Sequence, residues 1–109
     1  KQILPLGHNV AGFDVQFLKA WLGQKTYDQW FHYRNRCTAC TANFLNDRFA
    51  MFATPVPFNK VGLEWLCKIF NVHNTSPHTA IGDAMATAKV YKAMCSMFIP
   101  AYPPSPSKA

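Results

Sequence analysis

Two short stretches hold the side chains from which phosphoryl and acyl chemistry is usually built. His78-Thr79-Ala80-Ile81-Gly82-Asp83-Ala84 sets a histidine five residues ahead of an aspartate and opens an Ala-rich run as far as Phe98. Leu6-Gly7-His8-Asn9-Val10-Ala11-Gly12-Phe13-Asp14 sets a second histidine ahead of a second aspartate. Histidine exchanges a proton near neutral pH, and carboxylates are the preferred donors for small hard cations. Only five residues of the 109 are acidic, so Asp14 and Asp83 are hard to dismiss as solubilising surface. An aspartate that opens a helix is, taken singly, a cap or a dipole partner. His32 and His73 have no such company and read as surface or satisfied core.

The elements that must carry these residues follow from periodicity. Ile3-Leu4-Pro5-Leu6, ending at Gly7, suits a buried strand that stops in a turn. Phe13, Phe17 and Trp21 fall at i, i+4 and i+8, which predicts a helix over 12–22, stopped by Gly23. That stripe, with Trp65, reads as core. Trp30–Tyr33 is a β-prone aromatic run and reads as a strand. Thr38 to Asn46 predicts a short helix with Phe44 and Leu45 facing inward. Pro55 and Pro57 make 49–58 a loop packed on the body. Asn59 is placed to cap a helix whose apolar stripe is Leu63, Leu66, Cys67 and Phe70. Turn residues 71–77 then deliver His78. A final helix from about Ala80 would pack through Ile81, Met85, Ala88, Tyr91, Cys95 and Phe98 and end at Pro100, with a Pro-rich tail or linker over 100–109. Small alanines suit close packing of that helix on a sheet.

Gly7-His8-Asn9 after a strand, followed by Phe13-Asp14 opening a helix, resembles the second motif of the DnaQ-like 3′–5′ exonucleases. His78-x-Ala80-x-x-Asp83-Ala84 resembles their third motif in its histidine form, the DEDDh subclass, and Val61-Gly62-Leu63-Glu64-Trp65-Leu66-Cys67 is similar to the helix that precedes it. The resemblance covers about residues 3–98, with the motifs in family order. It implies an α/β fold of the ribonuclease H-like exonuclease type, here as a helix-rich C-terminal portion (1–99) with the first strands missing. The implied activity is metal-dependent removal of nucleotides from the single-stranded 3′ end of DNA or RNA, in proofreading during DNA replication or in trimming. Such chemistry uses two divalent cations, Mg²⁺ or Mn²⁺, roughly 3.5–4 Å apart. By resemblance, Asp83 and Asp14 would be metal ligands and His78 the general base. His8, Asn9 and Phe13 would shape the turn and touch the terminal nucleotide.

One departure is large. The family's first motif, Asp-x-Glu, supplies two further carboxylates, and the chain contains no such triplet. The expectation is therefore an incomplete exonuclease domain, inactive alone, whose partners are nucleic acid and either a DNA polymerase or a complementing N-terminal segment. The alternative is a non-catalytic nucleic-acid-binding or interaction module on a degenerate exonuclease scaffold.

Composition bounds these readings. Half of the residues are apolar, as in a globular domain. The net charge of +6 suits a polyanionic partner, although Lys19, Lys25, Arg34, Arg36, Lys60, Lys89 and Lys92 are scattered and read mostly as solvated. No run approaches the roughly 18 apolar residues of a membrane span. Lys1 opens no signal-like pattern, and because it is not Met the chain reads as a fragment. Four cysteines without a secretory context favour free thiols in a reducing compartment, an intracellular, cytoplasmic setting of bacterial or phage-like type. Cys37-Thr38-Ala39-Cys40 has metal-like spacing, but Cys67 and Cys95 supply no second pair. A redox pair would want a supporting βαβ pattern, so buried helical thiols are the expected reading.

Overall fold

The computed structural model describes residues 1–98, so the Pro-rich 100–109 segment lies outside the described residues. The elements run β1 (Leu6–Gly7), α1 (Asp14–Leu22), α2 (Gln24–Trp30), β2 (Arg36–Cys37), α3 (Thr38–Met51), α4 (Leu63–Ile69) and α5 (Ala80–Cys95). The two strands are parallel, with Leu6 opposite Arg36 and Gly7 opposite Cys37. Parallel neighbours need a crossover connection, and here α1 and α2 supply it. The pairing begins earlier than the strands do. Ile3 donates to Trp30 O at 2.8 Å and accepts from His32 N at 2.7 Å, and Arg36 N donates to Pro5 O at 2.9 Å. Ile3 and Pro5 thus direct their backbone groups towards the 30–36 segment that ends in β2, which leaves those of Leu4 and Leu6 on the opposite edge.

The larger core joins α3, α4 and α5: Ala42, Leu45, Leu66, Cys67, Ala86, Val90 and Met94 close around Phe58. Asn46 fixes Phe58 from α3, its Nδ2 donating to Phe58 O at 2.8 Å and its Oδ1 accepting from Phe58 N at 3.0 Å. A buried side chain on a loop is thereby held without a loop backbone left unsatisfied. The smaller core lies under α1 and α2, where Val10, Val15, Tyr27, Cys37 and Ala39 meet Leu18 and Phe31. The helix α5 packs against β1 as well as against α3 and α4.

Several expectations are corrected. The 12–22 helix forms from Asp14, but Phe13, Phe17 and Trp21 are 73%, 76% and 76% exposed. With α2 as its main neighbour, α1 buries the Val15–Leu18 side on Tyr27, and the aromatic stripe faces water. On α5 the buried stripe is Ala86, Thr87, Val90 and Met94; Ile81, Met85, Ala88, Cys95 and Phe98 are exposed and Tyr91 is half-buried. Phe44 is exposed beside a buried Leu45, and Trp65 is half-buried under Lys60 Nζ, 5.6 Å from its ring.

The 30–33 run is not a strand: Trp30 closes α2, and only Phe31 bridges to Ile3. Gly23, at φ 86°, ends α1 by donating to Lys19 O at 2.9 Å and begins α2 by accepting from Tyr27 N at 3.0 Å. Asn59 caps nothing. Phe58 is pinned by Asn46, residues 59–62 bridge away from it, and α4 starts after Gly62 with no side-chain cap. The α3 helix runs to Met51, past the expected Asn46. Cys37 and Cys67 are buried as expected, whereas Cys40 and Cys95 are exposed. Among the described residues no helix is long and apolar enough to cross a membrane.

Candidate functional site

Both motif stretches are left-handed turns that feed a helix carrying an aspartate in its first turn. In the first, Gly7 ends β1 where a Cβ would lie 2.8 Å from Val10 Cβ and 3.3 Å from Asp14 Oδ2, so only glycine lets the turn fold back on the strand. Asn9 takes φ 59°, a conformation asparagine tolerates better than most residues. Val15 N then donates to Val10 O at 2.8 Å, which closes the turn onto α1. Asp14 is exposed and sits over the end of β1. His8 Nδ1 lies 2.7 Å from Oγ1 of the fully buried Thr38. Burial pushes the His8 pKa below its ordinary value, because the charged imidazolium loses hydration there.

In the second turn Thr79 caps α5. Its Oγ1 accepts from Gly82 N at 3.1 Å and donates to Ser76 O at 2.6 Å. His78 itself stands at φ 65°, which is uncommon for a non-glycine residue and often marks a site where geometry is imposed. Asp83 Oδ1 accepts from Asn74 Nδ2 at 3.0 Å and from the His78 backbone N–H at 3.2 Å. The carboxylate is thereby oriented by two donors. Thr87 Oγ1 donates to Asp83 O at 2.7 Å one turn further along the helix. Gly82 is sterically required, since a Cβ would lie 2.1 Å from Ser76 O and 2.7 Å from Thr79 Oγ1.

Five of the six candidate residues fall into two groups. His78 and Asp83 line a cavity of about 720 Å³ between α4 and α5, together with Glu64, Cys67, Asn71 and His73. Burial, and then the Asp83 charge, push the Cys67 thiol up. His8, Asn9 and Phe13 line a second cavity of about 510 Å³, with Asn35, Cys37 and Cys40. Asp14 lines neither of these two. The α5 helix packs against β1, and Asp14 lies beside Gly7 at the end of that strand, but among the described residues no three His, Cys, Asp or Glu side chains are disposed to hold a metal ion. For a pair of Mg²⁺ or Mn²⁺ ions the donors are right in kind and too few in number: two carboxylates, from Asp14 and Asp83, where such ions want several oxygens each.

Sequence reasoning overlooked Asn74, Thr79 and Thr38, which orient Asp83, cap α5 and meet His8. The threonine immediately before Ala80 was a readable N-cap signal. Thr38 lies 30 residues from His8, and no local pattern marks it; Asn74, whose Oδ1 also accepts the Ser76 N–H, was readable as turn material but not as the partner of Asp83. Comparisons with protein-family models, with curated proteins and with solved structures each give no match.

Proposed function

We propose that the chain is the helix-rich C-terminal portion of a ribonuclease H-like exonuclease domain of the DnaQ-like, DEDDh type. In this reading it removes nucleotides from single-stranded 3′ ends once two further carboxylates complete its site. The observation that carries the proposal is the matched construction of the two motif stretches. Each is a left-handed turn, at Asn9 and at His78, leading into a helix whose first turn holds Asp14 or Asp83, and the second of those helices packs on the strand that leads into the first turn.

Two divalent cations, when bound, would stabilise the attacking and leaving oxygens of the phosphodiester. The chain's own part is narrower. Asp83 presents a carboxylate held by Asn74 and by the His78 N–H, and Asp14 presents a second at the end of β1. His78, exposed and lining the first cavity, would act on the attacking water as general base. Phe13, exposed beside His8 and Asn9, offers a ring against which a terminal base can stack.

The incompleteness of the domain is supported by its surfaces. Parallel sheets are ordinarily covered on both faces, yet Ile3, Leu4 and Leu6 are 56%, 46% and 39% exposed. The aromatic stripe of α1 and the Ile81–Met85 stripe of α5 add exposed apolar area of the kind that marks a contact surface. A complementing N-terminal segment that pairs with the Leu4–Leu6 edge and carries Asp-x-Glu would cover this surface and complete the donor set. A DNA polymerase remains the expected further partner, in an intracellular, cytoplasmic setting.

The second reading, a non-catalytic nucleic-acid-binding module, is favoured by one observation: the two candidate groups line separate cavities. The two readings part on mutagenesis of the protein encoded by the reading frame that contains this stretch. With a 5′-labelled oligonucleotide and Mg²⁺, His78→Ala or Asp83→Ala should lower the rate by about a hundredfold or more. Near-normal turnover in both variants would refute the roles assigned, and nucleic-acid binding without turnover in the parent protein would favour the module.

A further inference from the structure

The nuclease reading leaves one pair of reactive side chains unused. Cys37 closes β2 and caps α3 in an extended conformation, with φ −115° and ψ 119°. Its Sγ accepts the Cys40 backbone N–H at 3.3 Å. Cys37 is buried and Cys40 exposed, and both line the cavity that holds His8 and Asn9. The parallel strand pair that a redox-active Cys-x-x-Cys wants is present after all, with α3 starting directly from β2.

We propose that Cys37 and Cys40 form a reversible dithiol–disulfide site, oxidised by low-molecular-weight disulfides.

The Cys40 N–H on Cys37 Sγ holds the Cys37 side chain over the first turn of α3, where Cys40 lies. A disulfide needs Cβ atoms about 3.5–4.5 Å apart, and the adjustment falls on Cys37, whose extended backbone lies outside the helix. Burial works to raise the Cys37 pKa, but the N–H groups of Cys40, Asn9 and Ala39, together with the Cys40 thiol, outweigh it and bring the thiol below its ordinary value. Cys40 is pushed the other way, first by the hydrogen bond to Cys37, then by burial and the Cys37 charge.

The roles divide accordingly. Cys40, which a reagent can reach, attacks a disulfide such as oxidised glutathione and releases one glutathione thiolate. The Cys37 thiolate then attacks Cys40 Sγ, forms the intramolecular bond and releases the second. Two protein thiols are oxidised, one external disulfide is reduced, and their two protons pass to the two departing thiolates. Closure ties the last residue of β2 to the first turn of α3. None of this depends on the exonuclease reading.

The test equilibrates the full chain with reduced and oxidised glutathione, quenches with acid, alkylates free thiols and digests with trypsin. Cleavage after Arg36 and Arg48 gives one peptide holding both Cys37 and Cys40, whereas Cys67 and Cys95 fall in others. The expected result is that this peptide loses two hydrogens and resists alkylation at the oxidising end. Its oxidised fraction should climb from a tenth to nine tenths as the ratio of squared reduced to oxidised glutathione falls about a hundredfold. In Cys40→Ser, an exposed change that spares the fold, no internal bond should form. A 37–48 peptide alkylated twice throughout, or one that stops at a glutathione adduct, overturns the site.

Discussion

Replacing Gly82 with alanine should destabilise the protein, although the same change in most helices stabilises it. The usual gain is about 1 kcal/mol for Gly→Ala in a helix interior. Here the new Cβ would sit 2.1 Å from Ser76 O, 2.7 Å from Thr79 Oγ1 and 2.9 Å from Asn74 Oδ1. Two of these atoms belong to backbone or to a capping hydroxyl, so the 74–79 turn must move as a unit. That movement breaks the Thr79–Ser76 and Gly82–Thr79 bonds and strains the Ser76 N–H to Asn74 Oδ1 contact of 3.1 Å. At about 0.5–1.5 kcal/mol each, the loss is about 2–3 kcal/mol. Net of the propensity gain, Gly82→Ala should cost about 1–2 kcal/mol, a fall in Tm of about 5–10 °C for a domain of this size. Thermal unfolding followed by circular dichroism measures it, with Gly12→Ala as the control, since nothing lies within 4 Å of a Cβ there. In a Thr79→Ala background the Gly82→Ala cost should shrink, because the cap is already lost. A Gly82→Ala protein as stable as the parent would refute the tight turn around His78 and Asp83.

Three further outcomes follow from the same coordinates. Ala53 ends α3 at φ 54°, with its N–H on Ala50 O and the Thr54 N–H on Phe49 O, so Ala53→Gly should raise stability by about 0.5–1 kcal/mol in urea unfolding. Trp21→Gln should change the stability of the isolated chain by no more than about 0.5 kcal/mol, because the ring is exposed; in a protein whose complementing segment covers that stripe, the loss should be about 1.5–3 kcal/mol. His8, held below its ordinary pKa by burial, favours the neutral form in the folded state. Its contribution is therefore complete above the unfolded value of about 6.5 and declines as pH falls from there towards the lowered folded value, where it levels off. Comparing urea midpoints of the parent and of His8→Gln across that window measures the difference, and parallel curves would contradict the burial.

How far the sequence revealed this structure depended on whether a signal was local. The helices of 14–22, 63–69 and 80–95 were legible because apolar periodicity is a property of the segment itself. The faces they bury were not. Phe13, Phe17 and Trp21 satisfy the helical period as well as any core stripe, but which side is covered is decided by Tyr27 and Phe31, whose helix was invisible because its seven residues have only one buried position. The α5 stripe failed for the same reason: both the Ile81–Met85–Ala88 and the Ala86–Val90–Met94 rows are apolar, and Phe58, Leu45 and Leu66 choose between them. At the site, the aspartates and the turns were readable from residue types and spacing. The Asn74 hold on Asp83 and the Thr38 contact with His8 arise from how the turns fold back, and the seat of Cys37 and Cys40 at the start of α3 emerges only in the structure.

The most direct test of the central proposal is a metal-dependence assay on a 5′-labelled single-stranded oligonucleotide. The 109-residue chain is compared with the same chain joined to the segment encoded upstream in its reading frame. The expected result is no nucleotide release from the chain alone, and from the joined protein a ladder shortened from the 3′ end that EDTA abolishes. EDTA-sensitive release by the chain alone, or a joined protein bearing Asp-x-Glu that leaves the oligonucleotide intact with Mg²⁺ and with Mn²⁺, would contradict it.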